Sequence, residues 1–168
     1  MKILVLMLKQ DDPKKCTAAK LAKMHMIEPI KFIPNRAIIL NPFSNVVLSQ
    51  KDLCNGKSLM AIDCSWNHIQ STLNKFRIMR KGINRRLPLL LAGNPVNYAK
   101  LGKLTTVEAL AGSLFILGYA YEAENLLNKF RWGHTFLELN SELLTLYSTK
   151  TDPLQIVKIE KEYFPNIY

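Results

Sequence analysis

Acidic residues are missing from the stretch between Cys64 and Val107, while Lys75, Arg77, Arg80, Lys81, Arg85, Arg86, Lys100 and Lys103 all fall inside it. A field of one sign on that scale draws a polyanion, and the formal charge of +10 is concentrated rather than spread for solubility. Cysteine is also scarce. The three present, Cys16, Cys54 and Cys64, are odd in number and lack CxxC spacing, which argues against a disulfide framework and a zinc site and fits a reducing cytosol. Neither GxGxxG nor GxxxxGK[ST] occurs, so a Rossmann dinucleotide site and a P-loop are unsupported. Long apolar runs are absent too: the longest, around Leu110 to Tyr121, contains glycines and a serine and falls short of the ~20 residues of a membrane span. "MKILVLMLK" is too short and lacks the cleavage site of a signal peptide, so it reads as a first strand. A protein without a membrane segment, located in the cytoplasm, is expected.

What is present is an ordinary globular composition, 48% hydrophobic and 21% charged over 168 residues, with no repeats. The charge is divided: residues 1–107 hold 18 Lys and Arg against 5 Asp and Glu, and residues 108–168 hold 5 against 8. Five short apolar runs bounded by Pro, Asn or Gly read as strands: Ile3 to Leu8, Ile30 to Ile33, Ala37 to Leu40, Leu59 to Asp63 and Leu87 to Ala92. Their continuous hydrophobicity predicts a mostly parallel sheet covered on both faces. "CTAAKLAKMHM", capped by Thr17, and "SWNHIQSTLNKFRIM", capped by Ser65, read as helices. Beyond "NPVNYAKLGK" the pattern is helical only, with Thr105 or Thr106 as a cap followed by Glu108, and Asp152 capping a helix that opens at Pro153. The expected plan is α/β: an α/β sheet domain over residues 1–92, an all-helical domain over 93–168, and a crevice between them.

Two motifs stand at that junction. In "AIDCSW" (61–66) a strand stops at Asp63 and hands over to a helix, the edge at which open α/β sheets bind ligands. Asp63 there is a proton acceptor, an anchor for a ligand amine or a helix cap, and Trp66 is an apolar wall or core. Cys64 as a nucleophile lacks a histidine at informative spacing. In "LAGNPVNYAKLGK" (91–103), Asn94-Pro95 forces a turn, and Gly93 and Gly102 free the backbone to approach a ligand or to turn a structural corner. His134 beside Trp132 and Phe136 reads as a packed residue. Asp11 and Asp12 hint at magnesium, but no further ligands accompany them, and no metal is expected.

Together, "DDPKKCT", "AIDCSW", "LPLLLAGNPVNYAKLGKLTTVEALAGSLFILG" and "NLLNKFRWGHTFLELN" resemble the small-subunit ribosomal RNA aminocarboxypropyltransferases, in order from about Lys2 to Tyr147. The resemblance implies a SPOUT-like fold with a deep trefoil knot. It also implies S-adenosyl-L-methionine as co-substrate and transfer of its 3-amino-3-carboxypropyl group to a uridine-derived base of small-subunit RNA or a pre-ribosomal particle. It places Thr17 and the Ile62–Asp63 backbone near the ribose and amino-acid part of the co-substrate, and Trp66 against its methyl end. Leu87 and Gly102 fall at the adenine, and Thr106 at the cap of the next helix. The family more often has glycine at Ala99, proline at Leu101 and a bulkier residue at Gly102. Asp63 is the expected base, and Arg77, Arg80, Lys81, Arg85 and Arg86 are expected to contact RNA phosphates. A monomer is expected. The rival activities are methyl transfer from the same pocket and a non-catalytic RNA-binding role in ribosome assembly.

Overall fold

The computed structural model describes residues 1–8, 16–65 and 68–167. Lys2–Met7 (β1), Glu28–Ile30 (β2), Ala37–Leu40 (β3), Ser58–Asp63 (β4) and Ile83–Arg85 (β5) form one sheet in the order β2-β1-β4-β3-β5, every adjacent pair parallel. The central strand β4 pairs with β1 from Lys2↔Ser58 to Met7↔Asp63 and with β3 from Ala37↔Ser58 to Ile39↔Met60. Alternation along these strands sends Leu4, Leu6, Ile39 and Met60 to one face, where Leu73 and Ile78 cover them. Val5, Ile38, Leu59 and Ala61 go to the other, into a larger core with Leu110, Leu114, Phe136 and Leu144. Burial on both faces is why the strand sequences are apolar at nearly every position.

Six α-helices accompany the sheet among the described residues: Thr17–Lys23 (α1), Ile69–Lys75 (α2), Thr106–Ile116 (α3), Ala120–Leu127 (α4), Gly133–Ser148 (α5) and Pro153–Tyr163 (α6). Residues of α1 and of α3 to α6 join the larger core, whereas Leu73 of α2 closes the smaller one. α3 is apolar almost all round because it lies inside that larger core. Its amino end is a reciprocal capping box of Thr105 and Glu108. Asp152 caps α6 and Pro153 opens it, as their order in the sequence implies. The cap of α1 is Cys16, one residue before the expected Thr17, and α2 begins at Ile69 behind His68 rather than at Ser65.

Three expectations are corrected. The second strand is Glu28–Ile30 rather than Ile30 to Ile33. The fifth strand is Ile83–Arg85, and the apolar run Leu87 to Ala92 is not a strand of the sheet. Its backbone groups are met by side chains of α5 and α6 and by the backbone of residues 99–102, which an apolar run cannot reveal. The SPOUT-like fold with a deep trefoil knot is likewise replaced: strand order and register define a mixed α/β fold around a five-stranded parallel sheet, and no knotted SPOUT architecture follows from them. A knot is a matter of how distant segments thread past one another, and local residue patterns carry no record of it.

Candidate functional site

Asp63 ends β4, and its side chain is buried. Oδ2 accepts from the Cys16 thiol at 3.1 Å and Oδ1 accepts from the Thr106 hydroxyl at 2.9 Å. Thr17 Oγ1 accepts from the Val107 N–H at 3.3 Å. The amino ends of α1 and α3 are thereby stitched to the carboxyl end of the central strand. Burial, reinforced by the neighbouring Asp63 carboxyl, pushes the Cys16 thiol up from 9.0 to about 11. The thiol therefore stays protonated at neutral pH and serves as a hydrogen-bond donor rather than a nucleophile.

The segment after β5 is held from the helical side. Glu160 of α6, fully buried, takes both Arg86 guanidinium nitrogens at 2.8 and 2.7 Å and the Leu89 N–H at 2.7 Å. Tyr147 of α5 donates to the Leu89 carbonyl at 3.2 Å, and Asn140 both accepts from the Leu91 N–H and donates to its carbonyl, each at 2.8 Å. Glu108 of α3 completes the row. Its carboxyl accepts from the Gly93 N–H (2.6 Å), the Asn94 N–H (2.9 Å) and the Asn94 side-chain amide (2.8 Å). The Thr105 N–H (2.7 Å) and hydroxyl (2.8 Å) bond to the same group. A Cβ at Gly93 would lie 2.5 Å from the Phe136 backbone nitrogen, so this corner of the chain packs against α5 only as glycine.

From there the chain doubles back as an irregular hairpin, closed by Ala92 N–H to the Lys100 carbonyl (3.0 Å), Ala99 N–H to the Ala92 carbonyl (2.7 Å) and Gly102 N–H to the Leu90 carbonyl (2.9 Å). Ala99 and Gly102 both have left-handed backbones, with φ of 58° and 70°. Gly102 is placed where such a backbone is free of strain; Ala99 is not.

A cavity of about 260 Å³ opens at the carboxyl ends of β3 and β4. Its walls come from residues 40–42, 61, 62, 64, 86–89, 102, 104–106 and 109. Of the residues expected at the co-substrate, Ile62, Leu87, Gly102 and Thr106 line this one cavity. Asp63 and Thr17 stand behind the wall, Asp63 reaching it through the Thr106 hydroxyl. Trp66 lies outside the described residues, as do Asp11 and Asp12. Cys64 lines the cavity too, and His134 is exposed. The mostly apolar lining with a few converging hydroxyl and backbone groups is that of a small-molecule site. Among the described residues, no cluster of three or more His, Cys, Asp or Glu able to hold a metal occurs and no helix is long and apolar enough to cross a membrane.

The basic residues divide by what they touch. Arg77, at a left-handed φ of 49°, Arg80 and Lys81 are exposed. Arg85 is paired with the buried Asp52 at 2.8 Å, and Arg86 with Glu160. Sequence reasoning missed Cys16, Glu160, Asn140 and Asn41 as organisers of the site. For Glu108 the Thr-x-x-Glu spacing announced the cap but not the grip on Gly93 and Asn94.

A family model described as "Ribosome biogenesis protein, C-terminal" matches residues 38–164. A 16S rRNA aminocarboxypropyltransferase of Saccharolobus islandicus (strain L.S.2.15 / Lassen #1) is 46% identical, over 99% of this chain and 98% of its own. One from Methanopyrus kandleri is 39% identical, over 98% of this chain and 99% of its own. The solved SAM-dependent rRNA:acp-transferase Tsr3 from Vulcanisaeta distributa overlays with a TM-score of 0.87 at 35% identity, covering 96% of this chain and 88% of that one. That overlay assigns the fold to the Tsr3 type and overturns the SPOUT-like, knotted expectation.

Proposed function

The chain belongs to the ribosome biogenesis protein family of 16S rRNA aminocarboxypropyltransferases, and on that premise we propose how its crevice does the chemistry. The protein transfers the 3-amino-3-carboxypropyl group of S-adenosylmethionine to a uridine-derived base of small-subunit rRNA and releases methylthioadenosine. The observation that carries this reading is the cavity at the sheet's carboxyl edge, lined by Ile62, Leu87, Gly102 and Thr106 and backed by Asp63. Leu87 and Gly102 present backbone to an adenine, while Thr17, Ile62 and Asp63 fix the ribose and amino-acid side. Residues 1–92 and 93–168 supply the two walls, and the protein works as a monomer in the cytoplasm without a metal.

The bound sulfonium activates three attached carbons, of which the one facing the acceptor is transferred. The family resemblance assigns Trp66 to the methyl end, which makes selection of the longer arm a matter of positioning. Transfer makes one carbon–nitrogen bond at the acceptor and breaks one carbon–sulfur bond, whose electron pair stays on sulfur as a neutral thioether. The acceptor's ring N–H must give up its proton, and Asp63 takes it through the Thr106 hydroxyl, which both lines the cavity and donates to Oδ1 at 2.9 Å. Arg77, Arg80 and Lys81 meet RNA phosphates, with Arg85 and Arg86 shaping the rim from their ion pairs.

Chromatography of the adenosine product tests the reading. Incubation with adenosylmethionine and small-subunit rRNA is expected to yield methylthioadenosine. S-adenosylhomocysteine instead would show methyl transfer, and no RNA-dependent product would show a binding protein.

A further inference from the structure

Three apolar side chains stand in solvent beside the cavity mouth: Phe43, Val46 and Met79, at 48%, 41% and 55% exposure. Each is one step from the cavity wall. Phe43 follows Pro42, which lines the cavity, and its N–H donates to the side chain of Asn41, another lining residue, at 3.0 Å. The Asn41 amide lies 2.7 Å from the Met79 sulfur, and the Val46 carbonyl accepts from the N–H of Arg86, a third lining residue, at 2.9 Å.

The loop that presents Phe43 and Val46 is held by hydrogen bonds, and Met79 reaches it from the turn Ile78–Arg80 through the Asn41 amide. Asn41, 1% exposed, donates to the Asn84 side chain at 2.9 Å, while Ser44 Oγ donates to the Asn84 carbonyl at 3.1 Å and accepts from the Val46 N–H at 3.2 Å. A fixed loop holding apolar groups in water gains nothing for folding, and such a patch marks a docking surface. Its surroundings identify the occupant. Met79 sits between Arg77 and Arg80 with Lys81 following, all exposed cations, and no acid occurs from Cys64 to Val107. Exposed apolar groups with cations flanking one of them in the chain fit a nucleotide: the base lays its face on the aromatic ring while its phosphates meet the arginines and lysine.

Building on the function proposed above, we propose that Phe43, with Val46 and Met79, is a stacking platform for an unpaired RNA base adjoining the target nucleotide, and so positions the target over the cavity. The patch is thus a positioning element for the acceptor, separate from the co-substrate's contacts.

Three variants are compared with wild type: Phe43→Ala, Phe43→Trp, and Phe32→Ala, an 87% exposed phenylalanine beside β2 at the sheet edge. Initial rates on a naked small-subunit rRNA transcript are measured with equilibrium binding of a fluorescent single-stranded uridine oligomer and with adenosylmethionine titration. Phe43→Ala is expected to raise the KM for RNA and weaken oligomer binding by about 5- to 100-fold, the usual range for a lost base stack. Saturated kcat and adenosylmethionine affinity should stay at wild-type levels, Phe43→Trp should restore binding, and Phe32→Ala should change nothing. The proposal fails if Phe43→Ala leaves both RNA readouts within twofold, if Phe32→Ala loses as much, or if tryptophan does not restore binding. It also fails if the loss is confined to assembled pre-ribosomal particles, which would make the patch a protein contact. Wild-type enzyme that moves no arm to RNA refutes the earlier functional reading, while the oligomer binding still decides the platform.

Discussion

Replacing Glu108 by alanine removes one acceptor from five hydrogen bonds at once. Two of the donors have an escape: the Thr105 hydroxyl rotates, and the Asn94 amide still reaches the Lys103 carbonyl at 3.3 Å. The N–H groups of Gly93, Asn94 and Thr105 do not, and the first two lie in buried backbone. At roughly 1–3 kcal/mol for each orphaned donor, and with water re-entering the space the side chain leaves, the expected loss is about 4 kcal/mol. That is a large share of the ~5–15 kcal/mol that holds a domain of this kind together. Glu108→Gln keeps an acceptor for two donors and turns an amide toward the others, for an expected loss of about 2 kcal/mol. Urea unfolding followed by circular dichroism measures both, and adenosylmethionine titration should show weakened binding because Thr105 and Thr106 line the cavity. An alanine variant within 1 kcal/mol of wild type, with unaltered ligand affinity, would refute the idea that this carboxyl organises the hairpin.

Asp63→Asn should slow turnover by about 10²- to 10⁴-fold with adenosylmethionine still bound, and wild-type kcat would reduce Asp63 to scaffolding. Because the Cys16 thiol is raised from 9.0 to about 11, the stability it lends is complete below pH 9 and drains away as pH passes 11. In Asp63→Asn the thiolate absorbance should titrate nearer 9.0, and an unmoved titration would mean that burial alone sets the shift. Ala99→Gly should raise stability by about 0.5 kcal/mol, since only glycine takes a left-handed backbone without strain; a lower Tm would contradict this. Reversing Arg77, Arg80 and Lys81 to glutamate should weaken RNA binding and flatten its salt dependence by about 0.7 per lost contact, leaving adenosylmethionine affinity intact; an unchanged slope would remove them from the phosphate track.

What could be read from the sequence depended on how far away each residue's partner lies. The parallel strands β1, β3 and β4 were legible because burial on two faces makes the run itself apolar. The cap of α6 at Asp152 was legible, and that of α3 was narrowed to Thr105 or Thr106, because donor and acceptor sit within three residues of each other; the structure places it at Thr105, with Thr106 the first helical residue. Leu87 to Ala92 was not, because its backbone partners, Asn140, Tyr147 and Glu160, stand 49 to 71 residues away and its apolar composition imitates a sheet strand. The same distance hid the ion pairs of Arg85 and Arg86, which a count of charges treats as free. Trp66, the residue assigned to the methyl end, lies outside the described residues, so its role stands on variants such as Trp66→Ala. The Tsr3-type fold in place of a knotted SPOUT fold became plain only from whole-chain superposition.

The decisive experiment supplies adenosylmethionine carrying one label at the carboxyl carbon and another at the methyl, together with small-subunit rRNA. Carboxyl label fixed in the RNA, with methyl label leaving in methylthioadenosine, is the expected result. Methyl label in the RNA with the carboxyl label left in solution would contradict it.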